Sequence, residues 1–151
     1  MTIERITSYI APTLGAPATS GQPSVADLQE LARAGVETII NLGLLDPRYC
    51  LEDEAGEVRR LGLRYVHIPV DFEAPLRSDF LRFTDALSGL EGRSVLVHCA
   101  ANYRATCFVA LYSEKRLGWS REQSDAYISR VWAPNSIWSA FLREMRSERP
   151  G

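Results

Sequence analysis

The chain is 151 residues long, the size of one ordinary domain, and is read as a single domain over residues 1–151. A composition of 46% hydrophobic and 24% charged residues excludes a disordered or fibrous chain, and a formal net charge of −2 argues against a general nucleic-acid binder. Three cysteines (Cys50, Cys99 and Cys107) are too few and too scattered for a disulfide framework and fit a reducing compartment, with the cytoplasm as the expected location. The start, Met1-Thr2-Ile3-Glu4-Arg5, has no basic stretch followed by an apolar core, so no leader is expected. No apolar run reaches the roughly 18 residues of a membrane span.

Along the chain, residues 7–23 are rich in Ser, Thr, Pro and Gly and predict short strands and turns. Ser24 is placed to cap a helix over 25–34, with Leu28, Leu31 and Ala32 on its apolar face and Gly35 as its stop. Thr38 to Leu42 reads as a buried strand and residues 43–51 as a loop. A helix follows over 52–61, stopped by Gly62, and then a strand over Tyr65 to Val70 with Pro69 near its end. Residues 71–75 form a loop, and Ser78 is expected to cap a helix to about Leu90. Ser94 to His98 is the next strand and 104–116 the next helix. Ser120 with Gln123 makes a capping-box pattern for a helix to about Val131, and Ser136 to Arg146 makes the last one. Trp132, Trp138 and Phe141 read as core or edge packing. Alternating strand and helix predicts an α/β fold of three layers, a central, mostly parallel sheet flanked by helices. Ligands in such folds sit beyond the carboxyl ends of the strands, where Cys99 falls.

The chemistry concentrates in His98-Cys99-Ala100-Ala101-Asn102-Tyr103-Arg104-Ala105-Thr106. A helix N-terminus offers free amides and a positive dipole end, and successive loop amides curl into an anion-binding nest. Ala100 and Ala101 leave room for those amides, and Asn102 tolerates the left-handed conformation of a tight loop. Arg104 has the planar fork that grips two phosphate oxygens, and the same surroundings favour a thiolate at Cys99. His98 is assigned to fixing the loop by hydrogen bonding, and Thr106 to donating its hydroxyl to the sulfur. Tyr103 either walls the site or packs away from it, and Ala105 completes the candidate substrate-binding set.

This segment resembles the signature of the protein tyrosine and dual-specificity phosphatase superfamily, which is His-Cys, five residues, then Arg and Ser or Thr. Ser20-Gly21-Gln22-Pro23-Ser24, Ala34-Gly35-Val36, Ile39-Ile40-Asn41-Leu42 and Tyr65-Val66-His67-Ile68-Pro69-Val70 are similar to stretches of small bacterial dual-specificity-like phosphatase domains. The resemblance covers most of residues 8–132 and implies a dual-specificity-phosphatase-like fold acting on a phosphorylated protein or small molecule through a cysteinyl-phosphate. It also implies an aspartate acid on a neighbouring loop. Asp71, directly after Val70, is the first candidate, with Glu73 and Asp79 in reserve. The chain departs in one respect: four residues, not five, separate Cys99 from Arg104. One residue moves an arginine Cα by about 3.8 Å along the chain.

Two further readings stay open on that spacing. A rhodanese-like sulfurtransferase also carries a cysteine loop after a strand, often with four residues before an arginine. A non-catalytic phosphate-binding module would keep the anion site alone. No metal or other cofactor is expected, since His67 and His98 are the only histidines and show no ligand spacing. Neither a nucleic-acid nor a membrane partner is expected. The oligomeric state is not readable from the sequence. Cys107 is expected to pack its helix on the sheet. Cys50 sits in a loop from which it could trap an oxidised Cys99 as a disulfide.

Overall fold

Four short strands, Ala18–Ser20 (β1), Thr38–Asn41 (β2), Arg64–His67 (β3) and Val95–His98 (β4), pair in the order β1-β4-β2-β3. The four strands pair in parallel, and an isolated antiparallel bridge joins Ile10 to Thr19 of β1, in keeping with the mostly parallel sheet expected. The computed structural model describes residues 3–148. Readings that touch Met1, Thr2 or residues 149–151, the expected lack of a leader and the outer limits of the domain, lie outside the described residues.

The two inner strands carry unbroken apolar runs because both faces of the sheet are covered. Alternation sends Ile39 and Leu96 to one face and Ile40 and Val97 to the other. Helices Val25–Arg33 (α1) and Glu54–Arg60 (α2) cover the first face with Leu28, Leu31 and Val58. Helices Arg77–Ser88 (α3), Tyr103–Arg116 (α4), Arg121–Ser129 (α5) and Ser136–Ser147 (α6) form the second layer. There Phe80, Phe83, Phe108, Trp138 and Phe141 pack around α4, which is buried continuously from Arg104 to Ser113. Each fully buried large apolar side chain contributes about 1.5–3 kcal/mol. This is the three-layer α/β arrangement that the sequence predicts.

Most helix starts follow their caps. Ser24 and Ser120 accept from Asp27 N and Gln123 N in reciprocal capping boxes, and Asn135 accepts from Trp138 N. Gly35 and Gly62 follow the ends of α1 and α2 at φ +95° and +79°, which only glycine adopts without strain. Two starts differ from expectation. The helix expected from residue 52 starts at Glu54, because Asp53 caps α2 by accepting from Gly56 N. The start of α3 is not set by Ser78: the Asp79 carboxylate reaches back to the Leu76 amide at 3.0 Å and pulls Arg77 and Ser78 into the first turn. The strand expected over 65–70 is shorter, because Pro69 has no amide, although Ile68 and Val70 still donate to Asn41 and Leu42 carbonyls.

Register aligns Ser20, His98, Asn41 and His67 in one row across the carboxyl end of the sheet. The loops that leave these four residues are therefore neighbours. No described helix is long and apolar enough to cross a membrane.

Candidate active site

Loops after β2, β3 and β4 enclose a cavity of about 400 Å³ at that edge. The loop after β4 contributes Cys99, Ala100, Ala101, Tyr103 and Arg104. The loop after β2 supplies Leu44, Asp46, Arg48 and Tyr49, and the loop after β3 supplies Asp71, Phe72 and Glu73. Cys99 is wholly buried, forming part of the cavity floor over the core. Asn102 adopts the left-handed conformation expected of it, at φ +69°, and turns the chain into α4. Among the described residues no protein acceptor faces the amides of Ala100 to Ala105, the loop and first turn that a bound oxyanion would use.

Arg104 reaches the cavity from the second position of α4 despite the short spacing. It is 5% exposed. Nη1 donates to the Val70 carbonyl at 2.8 Å, and Nη2 lies 3.5 Å from the Tyr49 hydroxyl. The guanidinium carbon sits 5.9 Å from the ring centroids of both Tyr49 and Phe72. Nε is buried with no hydrogen-bond partner among the described residues, a donor left unsatisfied.

Three of the predicted site residues turn their side chains elsewhere. The Asn102 side-chain Nδ2 turns away from the cavity and donates to Ser8 O at 2.8 Å and Thr19 Oγ1 at 3.1 Å, so this side chain shapes the loop rather than lining the cavity. Ala105 is buried in the core beneath α4's first turn. The Thr106 hydroxyl lies 2.8 Å from Asn102 O and 3.0 Å from Tyr103 O, held by its own helix rather than by Cys99. A threonine within the first turns of a helix finds those carbonyls closer than any other acceptor.

His98 is fully buried between two acceptors. Nδ1 lies 3.1 Å from the Cys99 carbonyl and Nε2 lies 2.6 Å from Glu54 Oε2. Glu54, the first residue of α2, also accepts from Gln22 Nε2 at 2.8 Å. Burial pushes the Glu54 carboxyl up, but the hydrogen bond and charge of His98, with help from Gln22 and the His67 charge, hold it below the ordinary carboxylate value. Beside this network Gly21 passes so close to the cysteine loop that a Cβ would lie 2.7 Å from Ala100 O. Gln22 N donates to that same carbonyl at 3.0 Å.

Of the three carboxylates considered as acids, Asp71 and Glu73 line the cavity. Asp71 is exposed, and its Oδ1 accepts from Glu73 N at 2.9 Å. Their loop is tied down by Trp138, whose Nε1 donates to Phe72 O at 2.8 Å. Asp79 is absent from the lining: it caps α3 and pairs with Arg82 at 2.6 Å, which removes it from the reserve. Tyr103 lines the cavity and stacks on Trp132 at 4.4 Å and 3°, with Phe72 next to it.

Sequence reasoning misses Glu54, Tyr49, Asp46 and Arg48. None lies near Cys99 in the chain, and a loop after a different strand carries no periodic signal. Only the row of strand ends could point to them. Cys50 is half-buried and outside the cavity lining, while Cys107 is buried in the core, where loss of solvation pushes its thiol up. No cluster of three or more His, Cys, Asp or Glu suited to a metal occurs among the described residues.

Comparison with known proteins agrees with this geometry. A family model described as DSP-PTPase phosphatase fused to NAD+ kinase matches residues 16–134. A DUF442 protein from Shewanella putrefaciens CN-32 is 32% identical, with a TM-score of 0.85 over 96% of this chain and 95% of that one. TpbA of P. aeruginosa, solved in complex with pTyr as a cysteine-to-serine variant, shares the fold at 18% identity and a TM-score of 0.68, over 89% of this chain and 86% of that one. A protein of Xylella fastidiosa (strain Temecula1 / ATCC 700964) named beta-lactamase hydrolase-like is 37% identical over 97 residues, 62% of this chain. The chain spans 22% of the length of that curated relative. The chain thus belongs to the family described as DSP-PTPase phosphatase fused to NAD+ kinase, whose model it matches from residue 16 to residue 134.

Proposed function

We propose that this domain hydrolyses phosphomonoesters through a cysteinyl-phosphate formed on Cys99. The observation that carries the reading is the buried Arg104 side chain, with its unpartnered Nε, lining the same cavity as Cys99 and the loop that bears the free amides. The family match favours this chemistry over sulfur transfer. TpbA's capture of phosphotyrosine supports a phosphorylated ligand, from a protein or a small molecule.

In the first step Cys99 Sγ, as thiolate, attacks phosphorus and the bond to the leaving oxygen breaks. That oxygen takes a proton from the Asp71 carboxyl. The loop amides and Arg104 hold the charge that develops on the equatorial oxygens. In the second step the Asp71 carboxylate removes a proton from water, the new hydroxide attacks phosphorus, and the S–P bond breaks to release phosphate and the thiolate. His98 holds the Cys99 carbonyl and with it the plane of the Ala100 amide. A cytoplasmic setting would keep the nucleophile reduced.

Steady-state hydrolysis of aryl phosphates by wild type, Cys99→Ser and Asp71→Asn tests the reading. Cys99→Ser should abolish turnover while still binding phosphate. Asp71→Asn should lose about 10²–10⁴ in rate on alkyl or phenyl leaving groups and much less on 4-nitrophenolate, which needs no proton. Turnover that survives Cys99→Ser overturns the mechanism, and phosphate binding by a wild type without turnover leaves a non-catalytic anion module in its place.

A further inference from the structure

We propose that Asp46 masks Arg48 at the cavity mouth, so that the site selects phosphomonoesters with a neutral or cationic leaving group over those bearing a second anionic group. This deepens the phosphatase reading and rests on it. Five charged side chains line the cavity: Arg104, Arg48, Asp46, Asp71 and Glu73. Arg104 is buried and anchored on Val70 O, and the proposed mechanism commits it to the phosphoryl group itself. A second phosphate or carboxylate, carried on the leaving group, would need a cation nearer the mouth. Among the described lining residues Arg48 is the remaining one.

Arg48 is already engaged. Nε lies 3.1 and 3.0 Å from the two Asp46 carboxylate oxygens, and Nη2 lies 2.6 Å from Oδ2. The arginine side chain is 87% exposed, whereas Asp46 is 19% exposed and aimed by its backbone. Asp46 Oδ1 accepts from Arg48 N at 3.0 Å, and Asp46 O accepts from Tyr49 N and Cys50 N at 3.0 and 2.8 Å. The loop beneath is pinned at Gly43, whose amide donates to Asn41 Oδ1 while its carbonyl lies 2.7 Å from His67 Nε2. The carboxylate is thus a fixed partner rather than a mobile one. The hydrogen bonds and charge of Arg48 hold the Asp46 carboxyl at about 2, so it stays ionised at neutral pH. With that pair neutral overall, the charges left at the mouth are the carboxylates of Asp71 and Glu73. They repel a second anion and tolerate a cation.

Solvent-exposed ion pairs are individually weak, which sets the scale at a roughly two- to fivefold preference rather than an absolute one. Three esters that differ in one distal group test this: phenyl, 4-carboxyphenyl and 4-(aminomethyl)phenyl phosphate. Wild type should show a lower kcat/KM for the carboxyl ester than for the phenyl ester, and at least an equal one for the aminomethyl ester. Asp46→Asn keeps an acceptor for the backbone turn but removes the charge. It should raise the carboxyl-to-phenyl ratio about two- to fivefold at low salt. The gain should fade in about 1 M salt and vanish when Arg48→Gln is added. Equal handling of the three esters by wild type, or an unchanged ratio in Asp46→Asn, overturns the proposal. Calorimetric Kd values of the same esters with the Cys99→Ser protein separate it from the phosphatase reading. A retained order of affinities without wild-type turnover sinks the catalytic reading alone, and equal affinities sink the mask.

Discussion

Replacing Glu54 with leucine removes the acceptor that holds both His98 Nε2 and Gln22 Nε2. The His98 side chain is 0% exposed and that of Glu54 is 3% exposed, so no water can substitute without an opening of the sheet edge. Breaking a buried pair by deleting one partner costs about 3–5 kcal/mol, a large part of the roughly 5–15 kcal/mol of a whole domain. At this chain length that is a fall in Tm of about 10 °C. Glutamine behaves differently. Its carbonyl can accept from Gln22 while its amide donates to His98 Nε2, leaving Nδ1–H for the Cys99 carbonyl. Every group stays paired, and the cost reduces to the loss of charge assistance, about 1 kcal/mol. Acid titration adds a second readout. The folded Glu54 carboxyl sits below its ordinary value of 4.5, so its stabilisation is complete above about pH 4.5 and fades as pH falls through the lower, folded value. Wild type should therefore lose more stability than Glu54→Gln over that acid range. Thermal and urea unfolding of the three proteins at neutral and acid pH measures all of this. A leucine variant within about 1 kcal/mol of wild type at neutral pH, or no better tolerated glutamine, would refute the buried pair as a support of the loop.

Arg104→Lys keeps the charge but loses the fork, so inorganic phosphate inhibition and kcat/KM on aryl phosphates should both fall by about 10²–10³. Equal inhibition by phosphate would count against a bidentate grip. Gly21→Ala drives a methyl into Ala100 O, a backbone atom that cannot swing aside. Its expected cost is about 1–3 kcal/mol in urea unfolding and roughly a hundredfold in rate from a shift of about 1 Å in the loop. Asp79→Ala should lower stability by about 0.5–2 kcal/mol through the α3 cap while leaving the dependence of rate on leaving-group basicity as in wild type.

Local signals are strong where one segment carries them. The apolar run into Cys99, the left-handed Asn102 and the caps at Ser24 and Ser120 all act within a few residues, and these parts of the site and fold are legible in the chain. Arg104 is harder, because counting residues suggests displacement whereas its position within the first turn of α4 brings the long side chain back over the floor. Thr106 reads toward the sulfur because chain distance cannot say that two helix carbonyls lie closer. Glu54 looks like any acidic residue in a first helical turn. Its meaning appears only when α2, on the opposite face of the sheet, meets the end of β4. Asp79 resembles a second acid for the opposite reason: proximity in sequence to Asp71 hides its work as a cap.

The amides from Ala100 to Ala105 have no acceptor within the described protein, yet the loop that bears them is locked at both ends, by the β4 ladder and by the buried body of α4. Their geometry is set before any ligand arrives, so seating a tetrahedral oxyanion needs little rearrangement of the main chain. In isotope terms, these hydrogens should swap with deuterated solvent quickly in the free protein and slow together once phosphate or vanadate occupies the floor, a block of protection that ends where the helix begins to bond to itself.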